Sequence, residues 1–300
     1  MPAAVSSSSA PSSHREAGIA VSMVSAAAGT QPDHPMHSAQ EISDFYAHNR
    51  DYWGDLSSFR SDQRSIMLNF GYWPAGVTTL HDAQHAFLDR ILADVPVGEE
   101  AQRGLEIGCG IGGISINVLK RRPAVSMTAV DISEGQLALA QANAQAHGVQ
   151  DRFTAQQGNS MDLPLADAQF DFTLCIESSF HYDDKASFFR EAFRTLKPGG
   201  TAVVADITCQ RVERIKFRQG NHFESLETYL QLIDDAGFDR VRTEDIGPCV
   251  YDSLYRHVLE FNHTQRSQVT RYWSLVLSNY RQLAESGEMG YHLFTLRKPA

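Results

Sequence analysis

The chain has 300 residues and a formal net charge of −10, from 36 acidic and 26 basic side chains. Hydrophobic residues make up 42 % and charged residues 21 %, a mixture typical of a globular domain. The negative charge argues against binding to a nucleic-acid backbone, because such binding needs a positive face. No stretch approaches the ~18 consecutive apolar residues of a membrane-spanning helix. The four cysteines form no CxxC pair and favour a reducing compartment, so we expect a soluble, cytoplasmic protein.

The first forty residues differ in composition from the rest of the chain. Residues 1–40 contain nine Ser, nine Ala and no aromatic residue. Such a segment buries too little apolar surface to offset the entropy lost on ordering. We therefore predict a disordered tail over residues 1–40 and a single domain over residues 41–300.

Helical patterns flank a strand–helix alternation in this domain. Residues 41–95 begin with eight aromatics between Phe45 and Trp73 and continue as short amphipathic helices. A second helical block spans residues 251–286, and we expect the two blocks to form one cap. Apolar runs separated by helices of ~10–15 residues predict a mostly parallel sheet. Seven strands are predicted, at residues 104–107, 126–130, 152–157, 170–176, 201–205, 240–244 and 291–297.

A glycine-rich loop follows the first predicted strand. Gly108, Gly110 and Gly113 lie between that strand and a helix, and Asp131 ends the next strand. Glycines let a ligand approach the backbone closely, and a carboxylate accepts two hydrogen bonds from a ribose diol. Glu106 would repel a pyrophosphate but suits a ligand with a cationic head. The pattern therefore favours S-adenosylmethionine over NAD as the cofactor.

Four segments in this order resemble the motifs of class I S-adenosylmethionine-dependent methyltransferases. They are residues 106–113, 130–133, 158–164 and 196–200. The resemblance implies a Rossmann-like, doubly wound α/β fold with a helical cap. It also implies that Asp131 binds the ribose, that Ile132 packs on adenine, and that residues 159–161 line the adenine edge. The full set of cofactor residues that it implies is Tyr72, Glu106, Gly108, Cys109, Gly110, Asp131, Ile132, Gln136, Asn159, Ser160 and Met161.

Two further segments resemble the small-molecule group of these methyltransferases. Residues 69–73, Asn-Phe-Gly-Tyr-Trp, match a stretch in which the tyrosine reaches the carboxylate end of the cofactor, which implies this role for Tyr72. Residues 177–182 resemble a second segment of this group, which begins with a glutamate and carries a histidine at the position of His181. This chain departs from the family pattern only at Tyr182. This segment follows the fourth strand, where ligands bind at the carboxyl edge of a parallel sheet.

His181 is the candidate general base for methylation of a hydroxyl group, because its ordinary pKa of about 6.5 suits proton transfer near neutral pH. Asp206 is expected to end the fifth strand on the same edge, and rebeccamycin-type sugar O-methyltransferases pair a histidine with an aspartate at positions that look equivalent. We expect the acceptor to contact Phe180, Tyr182 and His222.

An alternative assigns the chemistry to Glu177. Isoprenyl-diphosphate C-methyltransferases look similar here, and their glutamate removes a proton from carbon. Arg211 and Arg214 would then hold the diphosphate, or they belong to a solvated basic loop paired with Glu213 and Glu224.

The sequence thus predicts methyl transfer to a hydroxyl of a small-molecule secondary metabolite. The alternatives are C-methylation of an isoprenyl diphosphate and a catalytically silent partner protein that binds S-adenosylmethionine. His81 and His85 have metal-ligand spacing on a predicted helix, but no further ligand completes a site, so no metal is implied. The sequence leaves the acceptor and the oligomeric state open.

Overall fold

The computed structural model describes residues 39–96, 101–217 and 221–300, with side chains from Asn49 onward. Of the tail predicted for residues 1–40, residues 1–38 lie outside the described part of the chain. Residues 39 and 40 belong to the first helix. Within the described residues, no helix has the length and apolar character needed to cross a membrane.

The sheet has seven strands, as the strand–helix alternation predicts. Their order is β3-β2-β1-β4-β5-β7-β6, and only β7 runs antiparallel to its neighbours. The chain reverses direction across the sheet between β1 and β4, which is the switch point where such folds bind ligands. The strands are β1 (Gln102–Ile107), β2 (Val125–Asp131), β3 (Phe153–Gln157), β4 (Phe170–Ile176), β5 (Leu196–Cys209), β6 (Asp239–Asp245) and β7 (Met289–Arg297).

Eight helices lie in the described part of the chain. They are α1 (Ala39–Ser58), α2 (Leu80–Leu92), α3 (Gly113–Arg121), α4 (Glu134–Ala146), α5 (Lys185–Thr195), α6 (Leu226–Asp235), α7 (Tyr251–Thr264) and α8 (Gln268–Glu285). Most of them begin at a polar capping residue; Ser133, for example, accepts a hydrogen bond from the amide of Gln136 at the start of α4. The confirmed fold class is a Rossmann-like α/β sheet with helices on both faces.

The second helical block is two helices rather than one. The chain leaves helical geometry after Thr264 and re-enters it at Gln268. Ser267 and Thr270 form a capping box, in which each side chain bonds to the backbone amide of the other residue. The box starts α8 in a new direction, so α7 and α8 can pack against each other.

Strand β5 is longer than expected. It runs on to Cys209 because the antiparallel strand β7 pairs with it as far as Met289. Asp206 therefore lies inside the strand, opposite His292, and the prediction that it ends the strand is wrong. The Lys-Pro-Gly-Gly turn is present as a bulge near the start of β5, where Gly199 takes a left-handed φ of 76°.

The two helical blocks contact each other through aromatic side chains. The rings of Trp53 on α1 and Trp273 on α8 lie edge to face with centroids 4.9 Å apart, and Phe70 stacks on Trp53 at 5.7 Å. Helix α2 instead packs on the sheet, where Phe87 contacts Tyr291 of β7 at 5.8 Å. The cap is thus formed by α1, the loop after it, α7 and α8.

Candidate active site

The glycine loop forms an open cradle at the end of β1. Gly108, Gly110 and Gly112 all have left-handed φ values, of 73°, 51° and 77°. A Cβ atom at Gly108 would collide with the side-chain oxygen of Ser178, whereas one at Gly110 would meet no atom within 4 Å. The backbone therefore turns sharply at Gly108 and leaves space beside Gly110 for a ligand.

Asp131 joins this loop to the next helix. Its carboxylate accepts hydrogen bonds from the amide of Gly110 at 2.8 Å and from the amide of Ser133 at 2.9 Å. Burial raises the pKa of the carboxyl group, although these bonds oppose the shift. The side chain of the next residue, Ile132, is 42 % exposed, which is unusual for a large apolar group beside a buried carboxylate.

Gln136 lies in the first turn of α4 and is buried, yet its Oε1 atom has no hydrogen-bond partner in the described structure. An unpaired buried acceptor is costly, and a ligand N–H or O–H would satisfy it. The open space at Gly110, the exposed face of Ile132 and this acceptor together fit the adenosyl part of a cofactor.

Glu106 is engaged within the protein. It is 3 % exposed, and its Oε2 atom accepts hydrogen bonds from both the amide and the hydroxyl of Ser115 in the first turn of α3. Burial raises its pKa to about 7. Its carboxyl group thus stabilises the helix start next to the glycine loop, and contact with the cofactor stays a prediction.

The residues expected at the adenine edge form a tight turn. The Oδ1 atom of Asn159 accepts a hydrogen bond from the amide of Met161 at 3.0 Å. The hydroxyls of Ser160 and Ser178 both contact the hydroxyl of Tyr182, the latter at 2.7 Å. Tyr182 therefore lies on the cofactor side of the loop, a place that suits loop support better than contact with an acceptor. Cys109 is buried within the loop, and its thiol points to the carbonyl of Gly110.

Tyr72 lies in the loop between α1 and α2. Its hydroxyl bonds to Cys249, which belongs to the 3-10 turn after β6, and burial raises its pKa. Strand β6 is at the far edge of the sheet, four strands from β1. The contact of Tyr72 with the carboxylate end of the cofactor therefore stays a prediction.

Glu177 occupies the point where the chain leaves β4. Its backbone has a left-handed φ of 50°, which is rare outside glycine and is often retained at functional sites. Its Oε1 atom accepts hydrogen bonds from the amide of Phe70 at 2.7 Å and from the hydroxyl of Tyr291 at 2.5 Å. Burial raises its pKa to about 8, and nearby Asp206 acts in the same direction.

His181 ends the 3-10 turn Ser179–His181 at the same edge of the sheet. Its ring packs against Phe180 with centroids 4.2 Å apart, and Phe180 stacks on Phe223 at 5.7 Å. The amide of His222 donates to the carbonyl of Phe180 at 2.6 Å. The structure thus brings Phe180, His181 and His222 together, as the sequence predicts.

Asp206 is fully buried below this turn. Its Oδ2 atom accepts hydrogen bonds from the hydroxyls of Ser179 and Tyr229, and its Oδ1 atom accepts one from the amide of Ile207. Burial raises its pKa to about 6. The hydrogen bond from Ser179 connects the turn that carries His181 with β5, so Asp206 positions this turn.

Lys185 is a site residue that sequence reasoning missed. It is buried, and its ammonium group donates to the carbonyls of Tyr182 and His222, which joins the two segments. Tyr291 was missed as well. Neither residue belongs to a recognisable local motif, since each acts through a segment distant in the chain.

The arginines after β5 are already paired. Arg211 forms an ion pair with Glu213, and Arg214 forms one with Glu288. This confirms that acidic neighbours pair with the loop, although Glu288 takes the place expected for Glu224.

The two histidines with metal-ligand spacing lie close together on α2. The ring of His85 contacts Arg121 at 2.8 Å and lies 4.4 Å from the ring of His81. Among the described residues, no group of three or more His, Cys, Asp or Glu side chains is arranged to hold a metal ion.

Comparison with known proteins identifies the family of this chain. A family model described as a methyltransferase domain matches residues 105–204, from β1 to the middle of β5. The 27-O-demethylrifamycin SV methyltransferase of Amycolatopsis mediterranei is 28 % identical over 77 % of this chain and 90 % of that protein. The O-methyltransferase rstn1 of Aspergillus nomiae is 30 % identical over 52 % of this chain and 69 % of that protein. The chain belongs to the S-adenosylmethionine-dependent methyltransferases.

Solved structures show the same fold. The cyclase SpnF superposes with a TM-score of 0.74 at 22 % identity, over 89 % of this chain and 98 % of that one. The geranyl diphosphate C-methyltransferase of Streptomyces coelicolor A3(2), solved with Mg2+, geranyl-S-thiolodiphosphate and S-adenosyl-L-homocysteine, gives a TM-score of 0.68 at 17 % identity, over 82 % of this chain and 98 % of that one. At these identities the likeness supports the fold alone.

Proposed function

We propose that this enzyme methylates a hydroxyl group of a small-molecule natural product and that His181 is the general base. The main support is the position of His181 at the carboxyl end of the parallel strands, on a turn that Asp206 holds through Ser179. The backbone of His222 bonds to the same turn, at Phe180. The relatives named above are O-methyltransferases of natural products or of unstated acceptors, which favours oxygen as the methylated atom. The acidic charge and the unpaired cysteines favour a cytoplasmic enzyme with a small-molecule partner.

In this reaction, cofactor binding, proton transfer and exclusion of water would each fall to different residues. Gly110, Asp131, Ile132 and Gln136 would hold S-adenosylmethionine, whose sulfonium activates the methyl group for in-line displacement by the acceptor oxygen. His181 would accept the hydroxyl proton as the new C–O bond forms, a contribution of ~10²–10⁴ in rate. The aromatic cap would exclude water and hold the acceptor at attack distance.

C-methylation of an isoprenyl diphosphate is the second candidate, and the environment of Glu177 favours it. A carboxyl group with a pKa of about 8 is a stronger base than an ordinary glutamate. However, a diphosphate needs unpaired cations, and Arg211 and Arg214 already face Glu213 and Glu288. We therefore prefer the hydroxyl acceptor.

A catalytically silent protein that binds the cofactor is the third candidate. A solved structure with this fold is named as a cyclase, so the fold alone does not establish methyl transfer. Turnover of any acceptor would exclude this candidate.

The test incubates the enzyme and two variants with labelled S-adenosylmethionine and a panel of hydroxylated polyketides, glycosides, and geranyl and farnesyl diphosphate. We expect label on oxygen-bearing acceptors and a loss of kcat of at least ~10²-fold in His181→Ala. His85→Ala is the matched control, because this histidine lies on α2 and contacts Arg121. Label only on a prenyl diphosphate, with the larger loss in Glu177→Gln, would overturn the proposal.

A further inference from the structure

Tyr291 connects the far side of the sheet to the candidate site. It lies on β7, it is fully buried, and its ring packs between α2 and α7 through contacts with Phe87 and Tyr251. Its hydroxyl donates a hydrogen bond of 2.5 Å to Glu177. A tyrosine hydroxyl held this firmly has little freedom to follow a moving carboxylate, so it fixes the position of the carboxylate instead.

Both hydrogen bonds to the Glu177 side chain reach the same oxygen. Tyr291 and the amide of Phe70 donate to Oε1, and in the described structure no hydrogen bond reaches Oε2. The residue is not fully enclosed, and Oε2 is not one of the completely buried polar atoms that lack a partner, so a ligand can reach this oxygen. One carboxylate oxygen is thus fixed by the protein, and the other is available at the edge of the sheet where the acceptor is expected.

The left-handed backbone of Glu177 supports the same arrangement. A φ of 50° in a residue with a long side chain is strained, so surrounding contacts must maintain it. The amide of Glu177 donates to the carbonyl of Ala205 at 2.8 Å, which anchors the backbone while Tyr291 and Phe70 anchor the side chain. The three bonds come from β5, β7 and the cap loop.

We propose that Tyr291 is a positioning residue for methyl transfer, which holds Glu177 so that its Oε2 atom accepts a hydrogen bond from the acceptor molecule. This inference rests on the proposed function, in that the acceptor carries a hydroxyl or another polar hydrogen. Glu177 then orients the acceptor while His181 takes the proton.

The ionisation of Glu177 gives a readout that is independent of the acceptor. The titratable groups that face it are Tyr291 from β7, Asp206 from β5 and Tyr251 from α7. The hydrogen bond from Tyr291 stabilises the ionised form and lowers the pKa, while burial and Asp206 raise it. Removing the Tyr291 hydroxyl should therefore raise the pKa of Glu177 further.

The experiment compares Tyr291→Phe with Tyr251→Phe as the matched control. Tyr251 is an equally buried tyrosine whose hydroxyl donates to the carbonyl of Gly290, with no bond to Glu177. The carboxyl titration of Glu177 is followed by 13C NMR in protein labelled at the glutamate carboxyl carbons, and Glu177→Gln identifies the signal. We expect an upward shift of about one pH unit in Tyr291→Phe alone. No shift would overturn the proposal, whether or not an acceptor is known.

Steady-state kinetics with a hydroxylated acceptor give the second readout. In Tyr291→Phe we expect the acid limb of kcat/KM to move to higher pH and the acceptor KM to rise about tenfold. In Tyr251→Phe neither should change. A shifted NMR titration with an unchanged acceptor KM would show that Tyr291 acts on Glu177 without positioning the acceptor, and would also overturn the proposal.

Glu177→Gln covers the case in which Tyr291→Phe does not fold. The amide oxygen can still accept from Tyr291 and Phe70, but the group replacing Oε2 becomes a donor. We expect a folded protein that binds S-adenosylmethionine normally and has an acceptor KM raised at least tenfold. An unchanged acceptor KM would contradict the assignment of Oε2. Absence of turnover in the wild type would bear on the proposed function, while the NMR titration would still test the role of Tyr291.

Discussion

The hydroxyl of Tyr229 on α6 donates a hydrogen bond of 3.1 Å to the carboxylate of Asp206 in the middle of β5. The same oxygen accepts from Ser179, two residues before His181. Asp206 therefore acts on the candidate base through the backbone of the turn. This relationship separates two residues that motif comparison places together as a catalytic pair.

Replacing Asp206 by Asn should mainly affect stability. The amide group has one acceptor oxygen, so either the amide of Ile207 or the two hydroxyls of Ser179 and Tyr229 lose their acceptor, at a cost of about 1–3 kcal/mol in the free energy of unfolding. At urea concentrations at which Asp206→Asn is still folded, we expect its kcat to fall much less than the kcat of His181→Ala. Urea unfolding and kcat measured on the same samples check this expectation.

Tyr229→Phe is the companion variant, because it removes one hydrogen bond to Asp206 and keeps the carboxylate. If Asp206→Asn loses kcat as severely as His181→Ala while its stability is unchanged, Asp206 takes part in proton transfer.

A methyl group at Gly110 should weaken cofactor binding. The Cβ would enter the open space beside the loop, and the left-handed φ of 51° adds strain. We expect the Kd for S-adenosylmethionine to rise at least ~10-fold in Gly110→Ala, as measured by calorimetry. Gly148→Ala is the matched control, because Gly148 also has a left-handed φ and open surroundings but follows α4. Equal affinities in the two variants would show that the space at Gly110 is unrelated to the cofactor.

Glu106 should make the protein less stable as the pH rises. Its pKa is about 7 in the folded chain against an ordinary value of 4.5, so folding favours its protonated form. This contribution is fully present below pH 4.5 and is lost as the pH rises through 7, with an upper bound of roughly 3 kcal/mol.

Denaturant unfolding of wild type and Glu106→Gln between pH 5 and about 8 measures this contribution. The neutral variant should show a smaller fall in the free energy of unfolding, and Glu227→Gln, at an exposed position on α6, should match the wild type. Parallel curves for all three proteins would show that Glu106 is ionised throughout.

Neutralising the basic loop distinguishes the two acceptor classes. Because Arg211 and Arg214 are paired with Glu213 and Glu288, the double variant Arg211→Gln, Arg214→Gln should leave the KM of a hydroxylated acceptor within about twofold. A prenyl diphosphate whose KM rises more than about tenfold in this variant would favour the second candidate function. Michaelis kinetics with both acceptor types decide between them.

The sequence predicts those parts of the site that depend on local patterns. The glycine loop, Asp131 at the end of β2 and the segment after β4 all lie where the motifs place them, because strand ends and turns are encoded by adjacent residues. The break between α7 and α8 was not predicted, although the spacing of Ser267 and Thr270 is that of a capping box.

Side-chain direction across the sheet depends on distant segments and could not be predicted. Asp206 became internal because β7, more than eighty residues later in the chain, extends β5 by pairing with it. The hydroxyl of Tyr72 turned to Cys249. Tyr291 reaches Glu177 across 114 residues of chain, a relationship that no motif records.

The atom that receives the methyl group distinguishes methylation of a hydroxyl from methylation of carbon. The enzyme is supplied with S-adenosylmethionine carrying 13C in its methyl group and with the acceptor panel, and the product is examined by NMR. We predict a methyl ether, with coupling from the labelled carbon to the carbon that bears the oxygen, and loss of this product in His181→Ala. A labelled methyl bonded to carbon of a prenyl chain, retained in His181→Ala and lost in Glu177→Gln, would contradict this prediction.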